Sequence, residues 1–184
     1  MRSVLGEAAS AARTDDYKSP EGRMDEIAYR PIGVIRTPFQ DIEDMPIQAV
    51  AAKGFTATVE LKPEFAAGLK DLAGFSHILL IYHFHLSKGY SLELVPFLDD
   101  KLRGVFSTRA PRRPNPIGIS VVRLLKIEGS VLHIEGVDMV DGTPILDIKP
   151  YVPELDAVAA ERIGWLADKV RKVHKTKADQ RFKK

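Results

Sequence analysis

The sequence contains no cysteine, and that absence removes disulfides, thiolate zinc sites, iron–sulfur clusters and thiol nucleophiles together. No apolar run approaches the ~20 residues needed to span a bilayer. Residues 1–12 lack the uninterrupted apolar stretch of a secretory signal, so the expected location is the cytoplasm, without a membrane partner. Signature motifs are missing too. No G-x-G-x-x-G follows a strand, and there is no G-x-x-x-x-G-K-[ST], G-x-S-x-G or H-E-x-x-H, which disfavours Rossmann-type and P-loop chemistry.

What remains is an ordinary globular composition. The 184 residues are 45% hydrophobic and 28% charged, enough for one core with appendages. Charge is uneven: residues 169–184 hold eight Lys/Arg against Asp179, a tail of +7, while the rest of the chain carries 19 basic and 24 acidic residues. Such a tail either meets phosphate backbones or is a solvated helix end complementing its dipole.

Residues 1–26 read as a disordered extension, small and polar with a breaker cluster at Lys18-Ser19-Pro20-Glu21-Gly22. Met24 lies just before the first apolar strand, so natural translation from Met24 is a hypothesis that N-terminal mass determination decides. From Pro31 the pattern is mostly β. Strands are expected at Ile32–Arg36, Phe55–Leu61, His77–His85, Gly104–Ser107, Ile119–Ile127, Val131–Val137 and Ile145–Tyr151, with a short helix opened by Pro63. Gly129-Ser130 predicts a hairpin turn. Ile163, Leu166, Val170 and Val173 recur at helical spacing, with Asp156 as N-cap. The fold expected is a small β-barrel of six to seven strands over 27–155, followed by a C-terminal amphipathic helix with a basic tail over 156–184.

The densest chemical signal runs from Ser107 to Gly118. Prolines 111, 114 and 116 stiffen the loop, and Arg109, Arg112 and Arg113 place three guanidiniums within five residues. Asn115 can donate and accept toward a base edge. Such a loop suits a carboxylate or phosphate; the alternative is a proline-rich turn whose arginines pair with Glu135, Asp138 or Asp147. Asp141-Gly142 puts a carboxylate at a turn, where it either caps amides or accepts from a ribose hydroxyl. Asp147, Lys149 and Tyr151 alternate along one strand face, lining a cavity or facing solvent. His77, His83 and His85 share one face of an unbroken strand; no carboxylate accompanies them between Gly74 and Gly89, so buried, satisfied histidines are favoured over a metal site.

The sequence resembles the TsaA-like, or TrmO, family. The matching segments are Pro31-Ile-Gly-Val-Ile-Arg-Thr-Pro38, Leu72-Ala-Gly-Phe-Ser-His77, Gly104-Val-Phe-Ser-Thr-Arg109 with Arg113-Pro-Asn-Pro-Ile-Gly118, and Val140-Asp-Gly-Thr-Pro-Ile-Leu-Asp-Ile-Lys-Pro-Tyr151. The resemblance implies a homodimeric barrel that uses S-adenosylmethionine to methylate N6 of threonylcarbamoyladenosine beside the tRNA anticodon. Carried over by position, it implies cofactor contacts at Pro46, Ile47, Gln48, His85, Leu86, Arg109, Val121, Asp138, Met139, Val140 and Asp141. Two positions depart from the family pattern: Ile47 replaces a frequent arginine and Leu86 a frequent glutamine. On this reading Asp147 and Tyr151 are candidate proton acceptors, Asn115 orients the base, Arg112 and Arg113 meet tRNA phosphates or pair across the dimer, and the basic tail meets tRNA phosphates. Rival readings are a methyltransferase acting on another small molecule, a non-catalytic nucleotide- or RNA-binding barrel, and a metal-dependent hydrolase using the three histidines.

Overall fold

Apolar residues at every second position force a chain into strands with one buried face, and enough such strands close on themselves to remove their edges. The computed structural model describes residues 27–43 and 45–182; the expected extension over 1–26 and Lys183–Lys184 lie outside the described residues. Its strands are β1 (Gly33–Arg36), β2 (Thr56–Leu61), β3 (His77–His83), β4 (Glu93–Leu94), β5 (Arg103–Gly104), β6 (Ile117–Glu128), β7 (Val131–Glu135) and β8 (Pro144–Pro150). Six of them form a closed barrel in the order β1-β2-β7-β6-β3-β8, and β4 pairs with β5 outside it. Every pairing is antiparallel.

The inward residues are those the alternation marks. Ile35, Val59, Ile78, Leu80, Leu132, Ile134 and Ile145 are fully buried in one cluster. The β6–β7 hairpin turns at Gly129-Ser130 as expected. Two glycines exist for close approach. A Cβ on Gly33 would lie 2.5 Å from the Glu60 carbonyl oxygen, and one on Gly118 would lie 2.3 Å from the Tyr82 ring. A smaller cluster of Leu94, Val105, Ala110 and Phe182, with Phe97 against it, packs beside the barrel.

Three expectations change. The strand expected over Gly104–Ser107 is instead the end of β5 and a 3-10 turn, Val105–Ser107. Ser107 Oγ donates to the Gly104 carbonyl and Thr108 Oγ1 to that of Val105, both at 2.8 Å, so local hydroxyls satisfy the backbone that a ladder would otherwise use. The strand at 77–85 stops at His83. His85 thus leaves the face shared by His77 and His83.

The terminal segment is helical in character but not one continuous helix. It consists of α1 (Pro153–Asp156) and 3-10 turns at Gly164–Leu166, Val170–Lys175 and Gln180–Phe182. Asp156 ends α1 rather than capping a longer helix, and its carboxylate accepts from the Val152 amide at 2.7 Å. Tertiary anchors override the helical spacing. Trp165 Nε1 donates to the Ser107 carbonyl at 2.8 Å, Lys169 pairs with Asp99, Ala178 N donates to the Met45 carbonyl at 2.9 Å, and Lys177 bridges to Pro46. The segment is a strap fastened to the loops around residues 45–46, 99 and 107.

Candidate functional site

The stiff loop, the 46–48 segment, the end of β3, residues 138–140 and the strap enclose a crevice of about 710 Å³. Its walls are mainly apolar: Phe84, Phe97, Phe106, Met139, Trp165 and Val173 are among them. A few polar groups interrupt this surface, the usual makeup of a small-molecule site.

Arg109 stands on the loop, and its Nη1 donates to Gln48 Oε1 at 3.2 Å. This bond joins the arginine loop to the 46–48 segment across the mouth. The loop is braced from within. Arg113 Nη1 donates to the carbonyls of Val105 (3.2 Å) and Thr108 (2.8 Å), and its guanidinium lies 5.9 Å from the Phe106 ring centre. Phe106 itself is 76% exposed at the rim.

The floor carries the polar chain. Ser120, on the inward face of β6, donates its hydroxyl proton to Asp138 Oδ1 at 2.7 Å. Ser120 has only one proton, so the Tyr82 hydroxyl, 3.1 Å away, must donate to Ser120. Asp138 also accepts from its own amide and that of Ala49. Burial pushes Asp138 up to about 6, against the pull of these donors and of the Arg109 charge. Burial, with the Asp138 charge, also raises the Tyr82 phenol and keeps it protonated. His85 Nδ1 shares a hydrogen bond with Thr143 Oγ1 at 3.3 Å, and burial followed by the His83 charge lowers its pKa. Its neutral imidazole can face a cationic ligand without repulsion.

Of the residues singled out in the sequence, Pro46, Ile47, Gln48, His85, Leu86, Arg109, Asp138, Met139 and Val140 line this crevice together. Asp141 does not line it. Its Oδ1 accepts from the Thr37 amide at 3.0 Å and its Oδ2 lies 3.7 Å from Arg36, so it caps β1. Val121 is 38% exposed on the outward face of β6. Asp147, Tyr151 and Asn115 also stand apart. Asp147 pairs with Lys149 at 2.7 Å on the outside of β8, Tyr151 meets the His77 ring edge-on at 6.4 Å, and Asn115 is exposed at the loop end. Arg112 does not line the crevice either. Glu135 pairs with Arg123 rather than with the loop. Among the described residues, no three His, Asp or Glu side chains gather closely enough to hold a metal.

Sequence reasoning passed over Tyr82, Ser120, Phe106 and the strap residues. One signal for Ser120 was available: it is a polar residue at an inward position of β6, where Val122 and Leu124 are its register mates.

Comparison with known proteins follows the same outline. The family model for the tRNA-methyltransferase O N-terminal domain matches residues 34–157. A Pyrococcus abyssi protein named as a probable S-adenosyl-L-methionine-binding protein is 57% identical over 156 residues, covering 85% of each chain. A mouse protein named tRNA (adenine(37)-N6)-methyltransferase is 45% identical over 92 residues, covering 48% of this chain and 21% of that protein. The crystal structure of TrmO from Pseudomonas aeruginosa superposes with a TM-score of 0.64 at 42% identity, over 76% of this chain and 62% of that one. By its barrel, its loop and these matches, the chain belongs to the tRNA-methyltransferase O family.

Proposed function

We propose that the chain is an S-adenosylmethionine-dependent methyltransferase acting on N6 of threonylcarbamoyladenosine beside the tRNA anticodon. The observation that carries this reading is the convergence of Arg109, the 46–48 segment, His85-Leu86 and residues 138–140 on one crevice. The residues suit the cofactor. Arg109 offers a forked donor for its carboxylate, the apolar walls suit its adenine, and the lowered pKa of His85 favours a neutral neighbour for a sulfonium. When bound, S-adenosylmethionine supplies a methyl group on an already activated leaving group, so no metal is required. The protein's task is to align the acceptor nitrogen and exclude water. Ile47 and Leu86 make two positions of this wall apolar, and both face the space.

The name of the mouse relative supports the tRNA substrate, and a cytoplasmic location accords with it. Exposed Arg171 and Lys172 on the strap are the basic-tail positions suited to phosphates, since Lys169 is held by Asp99 and Arg181 by Asp179. Arg113 is committed to its own loop. A homodimer accords with an apolar stripe on the outside of the barrel, where Leu79 opposes Val121 and Ile81 opposes Ile119. Ile119 also lines the crevice, so a second copy on this stripe would carry its own Val121 toward the site.

Incubation with radiolabelled S-adenosylmethionine and tRNA bearing or lacking threonylcarbamoyladenosine, followed by nucleoside analysis, tests the proposal. Label should appear only in the modified nucleoside. Label in unmodified tRNA, in a small molecule or nowhere would replace this reading by one of its rivals.

A further inference from the structure

Asp147, Tyr151 and Asn115 stand outside the crevice, which leaves the acceptor nitrogen without a partner for its proton. The floor contains one. Asp138 lies at the crevice surface and at the end of a buried chain in which Tyr82 donates to Ser120 and Ser120 to Asp138 Oδ1. Packing alone has no use for this arrangement: Tyr82 and Ser120 are inward positions of β3 and β6, 4% and 5% exposed, where the neighbouring inward positions are apolar. Tyr82 points its proton at Ser120 and Ser120 points its own at the carboxylate, to which the Ala49 amide also donates. Those donors fix the carboxylate's orientation while it remains a charged acceptor.

We propose that Asp138 is the catalytic proton acceptor of the methyl transfer, held in place by Ser120 and Tyr82. The inference rests on the function proposed above. The N6 nitrogen of the substrate is attached to a carbamoyl carbon and keeps one N–H, its lone pair delocalised into ring and carbonyl. Bond formation from that nitrogen to the methyl carbon, with the carbon–sulfur pair left on sulfur, frees this one proton. Asp138 takes it, and the nitrogen ends neutral. A carboxylate that titrates near pH 6 is charged at neutral pH yet basic enough to accept, which is the tuning general bases require. The groups facing it are few: the Arg109 guanidinium from the loop, the Tyr82 phenol from β3, the Ser120 hydroxyl from β6 and the backbone of the 49–51 turn. Among the described residues Arg109 is the one that brings a charge, and it favours the ionised form.

The experiment compares wild type, Asp138→Asn and Ser120→Ala. Methylation of tRNA bearing the threonylcarbamoyl group is followed across pH, S-adenosylmethionine affinity is measured by calorimetry, and carboxyl titration is followed in the cofactor-free protein by carbon NMR. Asp138→Asn should lower kcat by about 10²–10⁴-fold at saturating S-adenosylmethionine and tRNA and abolish the acid limb of the rate profile. Ser120→Ala should move both that limb and the Asp138 carboxyl titration to higher pH, because it removes a donor that favours the charged form. Activity of Asp138→Asn within threefold of wild type, or a loss of cofactor affinity that accounts for the lost rate, overturns the assignment. A rate limb that stays put in Ser120→Ala while the carboxyl titration moves also overturns it. A wild type that binds S-adenosylmethionine but methylates no tRNA refutes the proposed function, and this inference falls with it.

Discussion

The α-carbon of Gly118 lies so close to the Tyr82 ring that a methyl group would fall 2.3 Å from Cε2 and 2.9 Å from the Phe84 ring. Neither ring can retreat freely, since Tyr82 is buried and stands edge-on to Phe84 at 5.4 Å. Gly118→Ala should therefore cost about 1–3 kcal/mol of stability, read by urea denaturation, and should weaken catalysis by moving Tyr82 away from Ser120. Arg109 is the opposite kind of residue. It is exposed and, among the described residues, its one side-chain partner is Gln48, so Arg109→Ala should leave the unfolding free energy within about 0.5 kcal/mol. It should weaken S-adenosylmethionine binding by roughly tenfold to a hundredfold, the range for a charge-assisted hydrogen bond, as measured by calorimetry. Arg109 was legible in the sequence because three prolines announced a stiff loop. Ser120 was legible only as a lone polar residue among the inward positions of β6; its meaning comes from Tyr82 and Asp138, which are remote in sequence. Asp147, Lys149 and Tyr151 do alternate on one face as expected, but β8 presents that face to the outside.

Among elements, the strap departs furthest from its pattern. Of its apolar residues at spacings of three and four, Val173 is buried and Leu166 and Val170 lie on the crevice wall, while Ile163 is 49% exposed and stands off it, so the periodicity reported burial only in part. It could not report the anchors that break the helix into short turns, because Ser107, Asp99 and Met45 lie far away along the chain. Asp99 is the main fastening. Lys169 and Arg103 hold its carboxylate, whose side chain has no exposed surface, and Lys169 with the Asp100 amide depresses its pKa below the ordinary value of 3.8. A depressed carboxylate stabilises the fold fully above that ordinary value, and the contribution is lost as pH falls through the lower folded-state pKa. The strap should therefore stay fastened at pH 5 and above and loosen only below the usual aspartate range. Asp99→Asn should loosen it at neutral pH, read as faster limited proteolysis within residues 157–182 while the barrel core stays protected. Unchanged cleavage would show that Trp165 and the Pro46 bridge suffice.

For the molecule as a whole, the barrel was readable because short strands follow one another closely, one alternating cleanly over Phe55–Leu61 and another a continuous apolar run at His77–His83, and such strands hide their edges by closing. The outside of β6 carries apolar residues in the wrong phase: Ile117, Ile119, Val121 and Leu125 point outward and are 38–52% exposed. If this stripe joins two copies, Val121→Glu should shift sedimentation from dimer to monomer with an unchanged far-ultraviolet spectrum, since a carboxylate opposite a like one is not tolerated in an apolar contact. A dimer that persists would move the interface elsewhere.

The ring of strands is closed unequally. β1 and β8 share only two residue pairs, Gly33 with Ile145 and Val34 with Pro144, where β3 and β6 share seven. Pro144 contributes no amide at this clasp, and the neighbouring bonds there run from Ile32 to Ile145 and from Ile35 to Thr143. Thr143 follows directly on the segment that floors the crevice. The shortest pairing of the ring and the proposed seat of the cofactor thus lie on one continuous stretch of chain, so an occupant resting there is expected to protect the β1–β8 amides from hydrogen exchange.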